Sequence, residues 1–281
     1  LGREGPSVQI GSYVGCLVSR WTHILKGERK QLLAAGAGAG LAAAFAAPLA
    51  SSLIVIESIE RFDAPKTAIT TLLAGVVAGV IATLVFPVNP YHLIEVSEPA
   101  LAFWVQMKYF LILAVIISIV GKLYAAIMIS FKRVYSAVKS PTSVKMFYLV
   151  LVAYIISLMQ VNLTGGGEQF LLEQAQNGST EMMWVLAVML LHFGFSVCSV
   201  SSGLPGGNFI PTLVTGGLLG RFVGLIAVKY GIIGQESVTY VMLISMSAFL
   251  VAIERTPLTA IVLITEITGH FEVFYPSMRS E

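Results

Sequence analysis

Long uncharged runs separated by short polar connectors dominate the chain. No Asp, Glu, Lys or Arg occurs in the 26 residues from Gln31 to Ile56, the 28 from Thr67 to Ile94, the 22 from Met146 to Gly167 or the 39 from Met182 to Gly220. About 20 apolar residues cross a bilayer core as a helix, so several of these runs predict membrane helices. Shorter apolar segments lie at Tyr109–Gly121, Ser237–Ile253 and Thr256–Thr265. The polar connectors are Lys26–Lys30, Glu60–Lys66, a basic one from Lys132 to Lys145 and a Gly/Gln-rich one from Gly165 to Thr180. Each reads as a solvated loop. Two apolar segments make poor simple spans. The segment at Thr256 has ten residues before Glu266, and the longest run is broken by Ser201-Ser202-Gly203-Leu204-Pro205-Gly206-Gly207. Backbone freed by Gly and Pro survives at membrane depth only where protein buries it or it lines a polar cavity. Broken helices of this kind point to a transport site.

An internal repeat runs through the pattern. Ala44-Phe45-Ala46-Ala47-Pro48-Leu49-Ala50 leads into an aliphatic run ending at Glu57, and Ile253-Glu254-Arg255-Thr256-Pro257-Leu258-Thr259 into one ending at Glu266. Pro and Glu are nine apart in both. Upstream of each lies a Gly-rich helix start containing Pro, at Gly5-Pro6 and at Gly206–Pro211. Two halves built alike, with irregular backbone at matched places, predict a transporter-type repeat.

Composition narrows the class. Hydrophobic residues make up 56% of the chain and charged residues 11%, against roughly 25% charged in soluble domains. With 17 basic and 15 acidic residues in 281, a soluble globule would lack a polar shell. A disordered chain, a disulfide scaffold and an ordinary soluble enzyme are excluded, leaving an integral, multi-pass membrane protein. The net charge of +2 provides no basic stripe for nucleic acid. Cys16 and Cys198 lie in apolar stretches and read as small buried hydrophobes rather than a bridge. His23, His92 and His270 show no metal-ligand spacing, and His192 reads as a packing residue. Asn162-Leu163-Thr164 and Asn177-Gly178-Ser179 match the glycosylation pattern, a weak signal. No nucleophile, base or metal cluster supports an enzyme, and no cofactor is expected.

Two motifs carry the chemistry. Gly2-Arg3-Glu4-Gly5-Pro6 and Gly207-Asn208-Phe209-Ile210-Pro211 each read as a Gly-rich entry, Pro near the first helical position, then an uncharged helix. Pro suits the first turn, where its missing N–H would be unpaired anyway. The amides of a helix start have no intrahelical partner and, with the helix dipole, attract an anion without a cationic side chain. Such partial charges bind a halide weakly enough to release it, which conduction requires. Glu4 is the one carboxylate in either motif. Ionised, it competes for the anion site; protonated, it can leave. Gly36-Ala37-Gly38-Ala39-Gly40 is no nucleotide loop, since no strand precedes it; small residues let membrane helices pack closely.

These residues resemble a known family. Gly2–Pro6 and Gly207–Pro211 resemble the second and third selectivity-filter motifs of the CLC family of chloride channels and chloride/proton antiporters. Ser201–Gly207 and Ala44–Glu57 resemble it too, and the resemblance covers essentially the whole chain. It implies an all-α polytopic membrane fold, an inverted repeat of tilted and re-entrant helices. Residues 1–100 would then be the second part of the first repeat, and residues 101–281 a second repeat truncated at its C-terminal end. It further implies a homodimer in the cell membrane with one pore per subunit. Glu4 would be the external gate and proton-transfer group, and the Phe209 and Ile210 amides would bind the central anion.

The chain departs from the family pattern in three ways. The first filter motif is expected before Leu1, and the helix whose Tyr contacts the central anion after Tyr275-Pro276, so the chain reads as part of a longer one. Antiporters of the family carry an internal proton-transfer Glu one position after Glu57, where this chain has Ser58. One position is about 100° around a helix, so Glu57 is not an automatic substitute. Phe209 is retained, which favours chloride over fluoride. The expected function is chloride transport gated by Glu4, by Cl⁻/H⁺ exchange of uncertain coupling; the alternative is a passive voltage- or pH-gated chloride channel. From other classes, a solute carrier of another family would place Asp or Glu within the central segments, and a membrane scaffold would not need two anion-binding helix starts.

Overall fold

The computed structural model describes residues 2–22, 26–60, 65–85, 103–137, 142–158, 163, 166–178, 181–203 and 206–269. Among them no strand occurs, and eleven α-helices follow one another: α1 (Glu4–Trp21), α2 (Lys26–Phe45), α3 (Pro48–Val55), α4 (Pro65–Val85), α5 (Phe103–Ala137), α6 (Thr142–Leu158), α7 (Glu168–Asn177), α8 (Met182–Ser201), α9 (Phe209–Lys229), α10 (Val238–Glu254) and α11 (Pro257–Thr268). Within these residues, α4, α5, α8, α9 and the Gln235–Glu254 segment are long and apolar enough to cross a membrane. The short α3, α6 and α11 are apolar as well. His23, His92, His270, Asn162, Thr164, Ser179, Leu204-Pro205, Tyr275-Pro276 and the boundary expected at residue 100 lie outside the described residues.

All four expected loops hold helix: Lys26–Lys30 opens α2, Glu60 ends the π-helix Ile56–Glu60 while Pro65 and Lys66 open α4, and the other two are partly helical as well. α5 runs through Lys132 and Arg133 to Ala137, because both are good helix formers and stay exposed on its surface. The Gly/Gln-rich connector holds α7, which opens after Gly167 at φ 83°. Its polar composition masks a narrow apolar stripe of Phe170 and Leu171, beside which Gln174 is also buried.

The chain divides into two compact units. The first comprises residues 1–2, 94–253 and 275–281, and α9 is its centre. In the most apolar window of α9, 83% of residues are buried, against 22% for α5. Glycines admit the neighbours of α9. A Cβ on Gly216 would lie 2.6 Å from the Phe249 Cβ, and one on Gly220 2.4 Å from the Ser245 Cβ. Apolar lipid provides no hydrophobic drive between helices, so close backbone approach through small residues takes its place.

The second unit comprises residues 3–93 and 254–274. Here α1 and α2 cross glycine on glycine. A Cβ on Gly11 would lie 2.0 Å from the Gly36 carbonyl oxygen, and one on Gly40 2.2 Å from that of Ser7. The Gly36–Gly40 run is thus contact surface.

The repeat seen in the sequence has a structural counterpart in this unit. Ala46 and Arg255 both adopt a left-handed backbone, at φ 52° and 59°. The next residues, Ala47 (φ −128°, ψ 76°) and Thr256 (φ −118°, ψ 77°), are matching N-caps. The residue before proline is driven out of the α region, and the helix then starts on Pro48 or Pro257. Each start is capped by the other's glutamate. Glu266 accepts from the amides of Leu49 (3.0 Å) and Ala50 (2.8 Å). Glu57, in the π-turn Ile56–Glu60 after α3, accepts from the amides of Leu258 (3.1 Å) and Thr259 (2.8 Å) and from the Thr259 hydroxyl (2.6 Å). Carboxylates suit the positive end of a helix, and these bonds are charge-assisted.

Removing either carboxylate strands helix-start amides, of which those of the buried Ala50 and Thr259 matter most, at about 1–3 kcal/mol. Glu57→Ala and Glu266→Ala are therefore expected each to lower the thermal unfolding midpoint in detergent. Because both caps join α3 to α11, the double variant should fall short of the sum of the singles. Single losses below about 0.5 kcal/mol, the size of an ordinary surface change, would contradict this.

Candidate functional site

The two Gly-rich motifs meet at their first residues. Gly2 donates its amide to the Gly207 carbonyl (3.0 Å) and Gly207 donates to that of Gly2 (3.1 Å), an isolated antiparallel bridge within the first unit. In each motif a helix begins two residues later, α1 at Glu4 and α9 at Phe209. Pro6 and Pro211 are third in their helices, inside the first turn where the missing N–H costs nothing. Neither N-cap residue, Arg3 or Asn208, caps its helix with its side chain. Gly166 closes over the bridge with φ 99°. A Cβ there would lie 3.0 Å from the Ile210 Cγ2 and 3.8 Å from the Gly2 Cα.

The start of α9 is held from several sides. Phe209, Ile210 and Pro211 are buried. The Tyr124 hydroxyl of α5 donates to Asn208 Oδ1 at 3.1 Å, and the Tyr124 ring is wedged edge-on between Phe193 and Phe249. The Thr212 hydroxyl donates to the Asn208 carbonyl, and that of Thr215 to the Pro211 carbonyl. His192, 1% exposed, places Nε2 3.3 Å from the Pro211 carbonyl and 3.3 Å from the Ser196 hydroxyl. It therefore does more than pack, because it braces the third motif from α8. Sequence reasoning missed Tyr124 and Gly166 and read His192 as a packing residue, and no local signal marks the role of any of the three. They come from separate helices and connectors, and only folding gathers them around residues 208–211.

The second unit holds the candidate gate. Glu4 is the first residue of α1 and 5% exposed. A carboxylate there sits at a helix N-terminus, which carries roughly half a positive charge. Ionisable groups at membrane depth are costly and mark functional sites. At the expected internal proton position, Ser58 is exposed within the π-turn. The neighbouring Glu57 spends both oxygens on α11. Cys16 and Cys198 are free and half-buried. No group of three or more His, Cys, Asp or Glu side chains among the described residues could hold a metal ion.

Comparison with known proteins agrees with these features. A family model described as voltage gated chloride channel matches residues 1–280. The H(+)/Cl(-) exchange transporter ClcA of Cronobacter sakazakii is 31% identical over 98% of the chain, and the chain spans 60% of that relative's length. The crystal structure of a slow cyanobacterial Cl⁻/H⁺ antiporter matches with a TM-score of 0.84 at 26% identity, over 98% of this chain and 65% of that one. A CLC-type fluoride/proton antiporter shares the fold with a TM-score of 0.77 at 21% identity, over 97% of this chain and 66% of that one.

The brace on α9 is open to test at Gly167. A Cβ there would lie 2.9 Å from the His192 Cε1 on a backbone at φ 83°. Gly167→Ala is expected to cost about 1–3 kcal/mol through backbone strain and contact, read as a lower thermal midpoint. Adding His192→Ala should recover part of that loss. Strictly additive losses would show that the two residues are not in register.

Proposed function

Since the chain belongs to the voltage-gated chloride channel family and is an integral, multi-pass membrane protein of all-α fold, we propose that it moves chloride across the membrane through a pore gated by Glu4. The observation that carries this reading is the buried Glu4 carboxylate at the head of α1, in a motif bridged backbone to backbone with the motif that opens α9. The Phe209 and Ile210 amides at the start of α9 hold the central chloride. Partial charges attract the ion, and the absence of Lys or Arg from residues 207–211 keeps its release fast. Glu4 competes with chloride while ionised and withdraws on protonation, which links the anion path to protons.

Exchange of chloride for protons is favoured, with loose coupling. Support comes from the relatives named as Cl⁻/H⁺ exchangers. The looseness follows from residues 57 and 58: Ser58 carries no ionisable group, and the Glu57 carboxylate is committed to capping α11. Passive chloride conduction is the second reading, favoured by the same two residues. The second part of a first inverted repeat in residues 1–100, a second repeat truncated at its C-terminal end in residues 101–281, and a homodimer with one pore per subunit complete the proposal. Retention of Phe209 favours chloride over fluoride.

The full-length chain in liposomes decides between the readings. Chloride efflux accompanied by uphill proton movement is expected, and efflux that moves no protons would leave only the channel. Glu4→Gln should reduce proton movement to background while chloride still flows; unchanged fluxes of both ions would remove the gating role. Ser58→Glu is expected to increase the protons moved per chloride.

A further inference from the structure

A second feature of the first unit lies away from both motifs. The end of α5 together with α6 and α8 encloses a slot of about 550 Å³. On α6 its walls run from Lys145 through Val152 to Ile156, a helical stripe. Eleven residues of rise make that stripe ~16 Å long, about half of the ~30 Å hydrocarbon core and therefore the depth of one leaflet. The opposite wall is apolar, with Leu190 and Phe195 of α8. Between them Gly194 leaves the slot open, since nothing lies within 4 Å of a Cβ built there.

One end of the slot is polar and positive. Lys145 donates to the Tyr135 carbonyl at 2.8 Å and lies 4.7 Å above the Tyr135 ring. Neither contact neutralises its charge, and among the described residues no carboxylate pairs with it. The Tyr135 hydroxyl is buried without a hydrogen-bond partner. Residues 131–145 contain Lys132, Arg133, Lys139 and Lys145 and no acidic residue. Clusters of basic side chains beside membrane helices attract anionic lipid headgroups. A buried, unsatisfied hydroxyl is a cost unless a ligand accepts from it.

We propose that this slot binds one anionic phospholipid. An acyl chain fills the groove between α6 and α8, and the headgroup phosphate lies on Lys145 and accepts from the Tyr135 hydroxyl. The depth of the groove selects a single leaflet, and the charge at its mouth selects the headgroup. A zwitterionic lipid gains the groove but brings its own cation to the basic mouth, so it binds more weakly.

Native mass spectrometry of the full-length chain, equilibrated with palmitoyl-oleoyl phosphatidylglycerol or phosphatidylcholine, tests the site. One phosphatidylglycerol per chain is expected to survive delipidation that strips phosphatidylcholine. Gly194→Leu, which fits the open space, should reduce the retained lipid at least tenfold while chloride efflux remains that of the parent. Lys145→Gln should abolish the preference for phosphatidylglycerol, and Tyr135→Phe should weaken it. Equal retention of the two lipids by the parent chain, undiminished retention by Gly194→Leu, or a polypeptide in the slot in place of lipid would overturn the proposal. Should Gly194→Leu misassemble, the headgroup preference of Lys145→Gln decides alone.

Discussion

A helix that ends inside an apolar medium exposes backbone N–H groups that lipid cannot satisfy. That constraint organises this chain more than any other. α3 and α11 are only 8 and 12 residues long, too short to reach water at both ends of a ~30 Å core. Their N-termini are satisfied by carboxylates exchanged between them, Glu266 to α3 and Glu57 to α11. The starts of α1 and α9 meet the same constraint differently. Neither N-cap side chain caps its helix, and the segments leading into them are tied by the Gly2–Gly207 bridge. Carboxylates thus satisfy two of these helix starts, and backbone arrangement serves the other two.

Glycine performs the complementary task. Charged residues are too few to glue helices together, so backbones approach directly. Gly11 against Gly36 in one unit and Gly216 and Gly220 against α10 in the other are positions where a single methyl group would collide. Close approach brings rigidity, and rigidity keeps helix starts aimed. The polar side chains that do appear inside support backbone rather than act alone. Tyr124 orients Asn208, and His192 braces Pro211.

Much of this was legible along the chain, and the reasons are local. Uncharged runs of helix-spanning length can have few other fates in a chain this apolar. The nine-residue interval from Pro to Glu, found twice, is a helix start and the carboxylate a little over two turns on, and it predicted matched elements. The Gly-rich motifs at residues 2–6 and 207–211 announced helix starts because Gly and Pro act through their own φ angles. Where reading failed, composition misled. The Gln-rich stretch at 168–177 looked solvated, yet it hides Phe170 and Leu171 on one face of a helix. Lys132 and Arg133 looked like a loop, yet charged side chains on an exposed helical surface do not end a helix.

The sequence by itself determined the membrane character, the helical fold class, the repeat and the two motifs, because each depends on spacing within one segment. Only the tertiary structure decided partners. Glu57 meets Leu258 across 201 positions and Leu49 meets Glu266 across 217, and no local rule says which carboxylate caps which helix. The same holds for His192 beneath Pro211 and for Lys145 at the mouth of a leaflet-deep slot. Hydrogen bonds and cavities form between surfaces that are distant in sequence, so their chemistry exists only once the helices have packed.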